Sequence, residues 1–223
     1  MVLRFFRGHG GDGLDHVQRQ LLEMLANDRE AFDAATSTLL SGGDPATVGP
    51  ALRATDAQVN ELEREIRREL VVHASVHGAG DIAAVLVYMS IVKDVERIGD
   101  YAKNIFDLAA AGVDFREAPD RPTMLRYRDR AAEMITESGA VFAGDDQDRA
   151  HALLAEADGM LDTFDELVNA LVHSDDVAHD AVPRALYYRH LKRIVAHLMN
   201  LLTAVVMPVD RLDYLDESVG GEE

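Results

Sequence analysis

One short acidic segment has the residue types and the spacing of a metal-binding helix face. Glu96 and Asp100 are four residues apart, and Asn104 follows at the same interval. In a helix, side chains at this spacing lie on one face. Carboxylate and amide oxygens suit Fe, Mn or Mg, or Zn in a mixed site. The competing interpretation is a solvated acidic edge that Arg97 or Lys103 neutralises.

Two other groups of polar residues could extend or repeat this site. Asp56 and Asn60 have the same four-residue spacing in an earlier segment, and they could add ligands if the two helices pack with these faces adjacent. Asp158, Asp162 and Asn200 occupy corresponding positions later in the chain. We interpret this later group as the remnant of a second site with too few ligands for tight binding.

A third candidate is a line of Glu69, His73 and His77, again at four-residue intervals. Such a set could hold Zn or Ni, whereas histidines near a helix end also serve as helix caps. The sequence contains no His-Glu-x-x-His, P-loop or Gly-x-Ser-x-Gly motif, and no nucleophile–base pair can be identified. We therefore expect a protein that is not an enzyme.

The composition excludes several classes of protein. With 22 Lys and Arg against 40 Asp and Glu, the net charge is −18, which repels polyanions and argues against a nucleic-acid partner. There is no cysteine, and therefore no disulfide or thiolate metal site. The longest apolar stretches, 82–89 and 194–206, are shorter than a membrane span. The first residues lack the apolar core of a secretory signal, so we expect a cytoplasmic protein that does not span the membrane.

Six long segments with helical periodicity must position the candidate residues. Prolines and glycines separate them, and none of the six prolines is expected inside a helix, where proline is costly. Alternating β patterns are absent, so the sequence predicts an all-α protein. The predicted helices are Leu14–Leu40, Ala51–Val76, Asp81–Ala111, Thr123–Ala143, Asp146–His173 and Pro183–Val206.

The six segments contain an internal repeat. Residues of the first three recur in the last three: Glu23-Met24 as Glu133-Met134, Asp56 as Asp158, Arg97-Ile98 as Arg193-Ile194, and Asn104 as Asn200. This predicts a tandem pseudo-repeat of two antiparallel three-helix bundles, because short links make consecutive helices antiparallel neighbours. The predicted bundles cover 1–112 and 123–213, followed by an acidic tail at 214–223.

The segment from Lys93 to Ile105, KDVERIGDYAKNI, resembles the signature of the PhoU family, in which an E/D-x-x-x-D motif stands in a run similar to ERIGDHAxNI. The resemblance implies a six-helix regulatory adaptor that negatively regulates phosphate uptake and phosphate-starvation signalling. It implies contacts with the ATPase of a phosphate ABC transporter and with a sensor histidine kinase, self-association as a homodimer, and iron or zinc on an acidic face. The alternatives are a metal-dependent enzyme or metal store that uses the acidic face of the first repeat, and a purely structural interaction module.

The second repeat departs from the signature. Lys192 and Ala196 stand where the first repeat has Glu96 and Asp100, so two carboxylates are lost and a cation is gained. A lysine ammonium group repels a divalent ion. We therefore expect at most one acidic metal site, in the first repeat.

Overall fold

The structure is a computed structural model that describes residues 11–212. Within this range the chain forms six long α-helices and no strand, as the sequence predicts. The helices are α1 Gly11–Ser41, α2 Pro45–His77, α3 Ile82–Ala110, α4 Arg121–Gly144, α5 Gln147–Val172 and α6 Ala178–Val206, with 3-10 turns at Gly78–Gly80 and Val209–Arg211. None of the described helices is long and apolar enough to cross a membrane. The predicted acidic tail and the first ten residues lie outside the described range.

The prediction that no proline lies inside a helix is wrong at two positions. α2 begins at Pro45 and α6 at Ala178, both earlier than predicted, so that Pro50 and Pro183 lie inside these helices. Each is the sixth residue of its helix, where the missing N–H removes a single hydrogen bond to the first turn. Asp44 caps α2 by accepting a hydrogen bond of 3.0 Å from a backbone N–H two residues later. This cap, and not the second proline, determines where α2 begins.

The helices pack as two triplets that share one core. α1, α2 and α3 contact one another, as do α4, α5 and α6, and the triplets meet where α3 packs on α6 and α1 packs on α4. Buried apolar side chains from all six helices form one continuous cluster. α3 contacts three other helices, which bury most of its apolar side chains, whereas Ile82 and Leu86 of its first turns stay exposed.

The contact between α3 and α6 shows how the two triplets are oriented. Tyr101 stacks on His197, with their ring centroids 5.7 Å apart. On one side of this pair, Asp94 contacts Nδ1 of His197 at 2.8 Å and accepts a hydrogen bond of 2.9 Å from Asn200. On the other side, Arg193 donates to the hydroxyl of Tyr101 at 3.2 Å. The two helices are therefore antiparallel, and the α2–α3 and α5–α6 connections lie at opposite ends of the molecule.

Candidate metal centre

The predicted acidic faces of α2 and α3 lie next to each other, with a lysine between them. Nζ of Lys103 is 2.8 Å from Oδ1 of Asp56 and 2.9 Å from Oδ1 of Asp100. The other oxygen of Asp100 accepts a hydrogen bond of 2.8 Å from Arg97. The structure thus brings two of the predicted ligands, Asp56 and Asp100, together, and the ammonium group of Lys103 bridges them.

Glu96 adjoins this pair on α3 and is largely buried, with 15% of its side chain exposed. Nε of Arg97 lies 3.5 Å from its carboxylate. Burial, and then the negative charge of Asp100, raise the pKa of Glu96 from its usual 4.5 to about 7. Near neutral pH this carboxyl can therefore hold either a proton or a cation.

Asp28 of α1 is a candidate ligand that the sequence reasoning missed. It is completely buried, and neither of its carboxylate oxygens has a hydrogen-bond partner among the described residues. Burial, and then the charges of Glu96, Asp100 and Asp56, raise its pKa well above the usual 3.8. An unpartnered buried carboxylate is costly, so its position favours a bound proton or a bound cation.

Gly99 of the signature provides the space that Asp28 occupies. A Cβ atom at Gly99 would lie 2.4 Å from Oδ1 of Asp28, so only a residue without a side chain lets the carboxylate pack on the backbone of α3. This close contact therefore explains why a glycine stands in the Glu-Arg-Ile-Gly-Asp run. A signal for Asp28 was present in the sequence, because an acid interrupts the buried apolar stripe of α1 that contains Leu21 and Phe32.

The remaining predicted residues make no hydrogen bond to these four carboxylates within residues 11–212. Asn60 and Asn104 are half-buried. Asp158 and Asp162 are exposed on α5. Asn200 donates to Asp94 at the contact with α3 described above, and among the described residues no hydrogen bond joins it to Asp158 or Asp162.

The second triplet also lacks a buried acid at the corresponding place. The repeat that aligns Glu23 with Glu133 also aligns Asp28 with Ser138, because the two pairs are the same number of residues apart. Ser138 is buried and uncharged. Lys192 makes a close ion pair with Asp165. The geometry therefore places four acids near one another, contributed by all three helices of the first triplet, although no three of their donor atoms lie within 4.8 Å of one another. The acidic cluster consists of Asp28, Asp56, Glu96 and Asp100.

Most of the first triplet matches a known domain family. Residues 21–109, which contain the whole acidic cluster, match the PhoU domain family. The chain is 24% identical over 204 residues to a protein from Synechocystis sp., covering 89% of this chain and 90% of the relative. It is 26% identical over 208 residues to a protein from Pseudomonas putida, covering 90% and 80%. Both relatives are named phosphate-specific transport system accessory protein PhoU homolog. The chain is therefore similar to PhoU proteins over most of its length, and its residues 21–109 match the PhoU domain.

A solved structure supports the same conclusion for the fold. The crystal structure of PhoU from Pseudomonas aeruginosa matches this chain with a TM-score of 0.74 at 23% identity, covering 92% of this chain and 99% of that chain. The match extends over both helical triplets, so the six-helix arrangement predicted from the sequence is confirmed.

The pKa of Glu96 leads to a testable pH dependence. Between pH 4.5, the usual pKa of a glutamate, and about pH 7, the raised pKa of Glu96, the native state binds more protons at this site than the unfolded state does. Stability therefore declines across this window as the pH rises. In metal-free protein, Glu96→Gln is expected to remove this decline and to gain about 1–2 kcal/mol over the wild type across the window, less than the full shift implies because solvent screens the group. Urea unfolding at a series of pH values with a chelator present measures the difference.

A matched control for this experiment is Glu133→Gln in the second triplet, where the side chain is 63% exposed. The difference in unfolding free energy between Glu133→Gln and the wild type should not show the pH dependence expected for Glu96→Gln between pH 4.5 and 7. A difference between wild type and Glu96→Gln that is constant with pH would contradict the burial and charge described for Glu96.

Proposed function

We propose that the protein is a regulatory accessory protein of phosphate transport that catalyses no reaction. The observation that carries this proposal is its similarity, over 89% and 90% of its length, to relatives named as accessory proteins of a phosphate-specific transport system. In this role it acts in the cytoplasm as a negative regulator of phosphate uptake and of phosphate-starvation signalling. Its partners are the ATPase of a phosphate ABC transporter and a sensor histidine kinase.

Two exposed apolar patches support a role in binding other proteins. The α2–α3 patch consists of Val71, Val72, Val76, Ile82 and Leu86, and the α5–α6 patch consists of Val172, Val177, Val182 and Leu186. Each of these side chains is at least 41% exposed. Several large apolar side chains left exposed around one helix connection are typical of protein contact sites. Because the patches lie at opposite ends of the molecule, one chain can contact two partners at once.

A pull-down from the native host, grown with ample phosphate, tests the proposed partners. We expect the full-length protein to recover the transporter ATPase and the sensor kinase. The variant Val72→Asp with Val76→Asp should lose at least one of them, because each charge is placed in an apolar contact. Both side chains are more than 60% exposed, so the variant should fold normally. Ala155→Asp, at an exposed position of α5 outside both patches, is the matched control.

Deletion of the gene provides the second half of this test. Loss of a negative regulator should raise phosphate uptake and the expression of phosphate-starvation genes when phosphate is ample. If neither partner is recovered and the deletion leaves phosphate-responsive expression unchanged, the proposed function is wrong. We also propose that the protein forms a homodimer, and light scattering of the patch variant tests whether the α2–α3 patch makes that contact.

We propose in addition that the acidic cluster binds one metal ion, of the Fe, Zn, Mn or Mg type. The specific observation in favour is the unpartnered carboxylate of Asp28 beside Glu96. Oxygen donors with net negative charge suit such ions, and an ion there would replace Lys103 as the positive charge between Asp56 and Asp100. A metal-dependent enzyme or metal store is the alternative, and steady-state hydrolysis or oxidation by the metal-loaded protein would favour it.

A further inference from the structure

A second group of potential ligands lies at the far end of α2, next to the turn that leads into α3. His73 and Asp81 are both buried, and Nε2 of His73 is 2.9 Å from Oδ2 of Asp81. His77 follows one helical turn after His73, with the two rings stacked 4.1 Å apart. One donor atom from each of these three residues lies within 4.8 Å of the other two, and no other such group occurs in the described part of the chain.

We propose that His73, His77 and Asp81 form a site for a zinc-type ion, separate from the acidic cluster and independent of the proposed regulatory function. Two imidazole nitrogens and one carboxylate oxygen are borderline donors, which favour Zn, Co or Ni over Mg. The 2.9 Å separation between the donors of His73 and Asp81 is close to the roughly 3.3 Å edge of a tetrahedron around zinc with bonds of about 2.0 Å. His77 is exposed, so the fourth position is open to water.

The hydrogen bond of His77 supports this assignment. Its Nδ1 lies 3.2 Å from the backbone carbonyl oxygen of His73. When Nδ1–H donates to this oxygen, the lone pair of Nε2 is available for a metal. Metal-binding histidines usually make such a bond through their second ring nitrogen. The donor set differs from the one that the spacing predicts, because Glu69 lies 3.4 Å from Nε2 of His16 and takes no part in the group.

The position of the site indicates what the ion would do. The ligands flank the 3-10 turn at Gly78–Gly80, so a bound ion cross-links the end of α2 to the start of α3. The first turn of α1 covers the site from the other side, since a Cβ atom at Gly13 would lie 3.0 Å from Nδ1 of His73. The cross-link would fix the end of the molecule that carries the α2–α3 patch, where Val76 and Ile82 are exposed.

Titration of the full-length chain with Zn²⁺ and Co²⁺ tests the proposal. The background variant carries Glu96→Gln and Asp100→Asn, which removes the contribution of the acidic cluster. Competition with a chromophoric chelator should give one Zn²⁺ per chain, and Co²⁺ should give the visible absorption of a low-coordinate site. His77→Ala and Asp81→Asn should each weaken Zn²⁺ binding by at least about tenfold. Zn²⁺ should raise the melting temperature of the background variant and leave that of its His77→Ala derivative unchanged.

His173→Ala is the matched control, because the two histidines share their local structure. Nδ1 of His173 is 2.8 Å from the carbonyl oxygen of Asn169 at the end of α5, but His173 belongs to no ligand group in the described residues. Its substitution should leave Zn²⁺ affinity unchanged. His77 is exposed, so its variant should fold normally. Equal Zn²⁺ affinity in the His77→Ala and His173→Ala variants, or no stoichiometric binding in the background variant, would show that His73 and Asp81 form only a hydrogen bond.

Discussion

Gly99→Ala is expected to lower the free energy of unfolding by about 3 kcal/mol. The new methyl group would clash with Oδ1 of Asp28, whose side chain is completely buried. The two helices would have to separate, or the carboxylate would have to leave its position. Urea unfolding of the metal-free protein measures the loss.

Two further variants show whether this contact is the cause. Gly159→Ala, in α5 with no atom within 4 Å of the added Cβ, should be stabilised by about 0.5–1 kcal/mol, because alanine favours the helix. Combining Gly99→Ala with Asp28→Ala should recover most of the lost stability, since the clash is removed. If Gly99→Ala is as harmless as Gly159→Ala, the placement of Asp28 against α3 is wrong.

Asp28→Asn is expected to stabilise the metal-free protein by about 1–3 kcal/mol at neutral pH while it abolishes metal binding at the acidic cluster. Burial raises the pKa of Asp28 in the native state, so that above the usual pKa of 3.8 the native protein must hold a proton or bury a charge. Asparagine has a similar shape and carries no charge. The gain should shrink as the pH falls towards 3.8, because the carboxyl is then protonated in the unfolded state as well.

Urea unfolding at pH 7 and pH 4, with a chelator present, measures both parts of this expectation. Asp15→Asn, at an exposed position of the same helix, is the control and should change stability by less than about 0.5 kcal/mol. A lower stability of Asp28→Asn at pH 7 would mean that the charged carboxylate is well compensated in the native state. Greater stability together with lost metal binding would show that the buried acid is retained for function at the expense of stability.

The helices and the acidic pair on α3 could be predicted because they depend on local patterns. The helical periodicity gives the class, and the four-residue spacing places Glu96 and Asp100 on one face. The start of α2 was predicted too late, because the proline rule gave more weight to Pro50 than to the capping residue Asp44. Element ends depend on such single interactions, which a periodicity pattern does not contain.

The rest of the site depends on contacts between distant segments. Asp28 lies on α1, and no spacing in the sequence relates it to the segment from Lys93 to Ile105. Its position beside the other acids follows from the packing of α1 on Gly99. The repeat aligns Asn104 with Asn200 in sequence, but the packing of α3 on α6 makes Asp94 the hydrogen-bond partner of Asn200. Two features of the sequence indicate the contact of α1 with Gly99: Asp28 interrupts an apolar stripe, and Gly99 lies inside a helix.

Titration with Mn²⁺, followed by electron paramagnetic resonance, tests most directly the claim that the first triplet holds a single acidic metal site. Mn²⁺ prefers oxygen donors, so the histidine site should contribute little. We predict one Mn²⁺ per chain in the wild type, lost in Asp28→Asn and in Glu96→Ala with Asp100→Ala, and retained in Asp158→Asn with Asp162→Asn. Stoichiometric Mn²⁺ binding that survives in Asp28→Asn, or that disappears when only Asp158 and Asp162 are changed, would contradict the account.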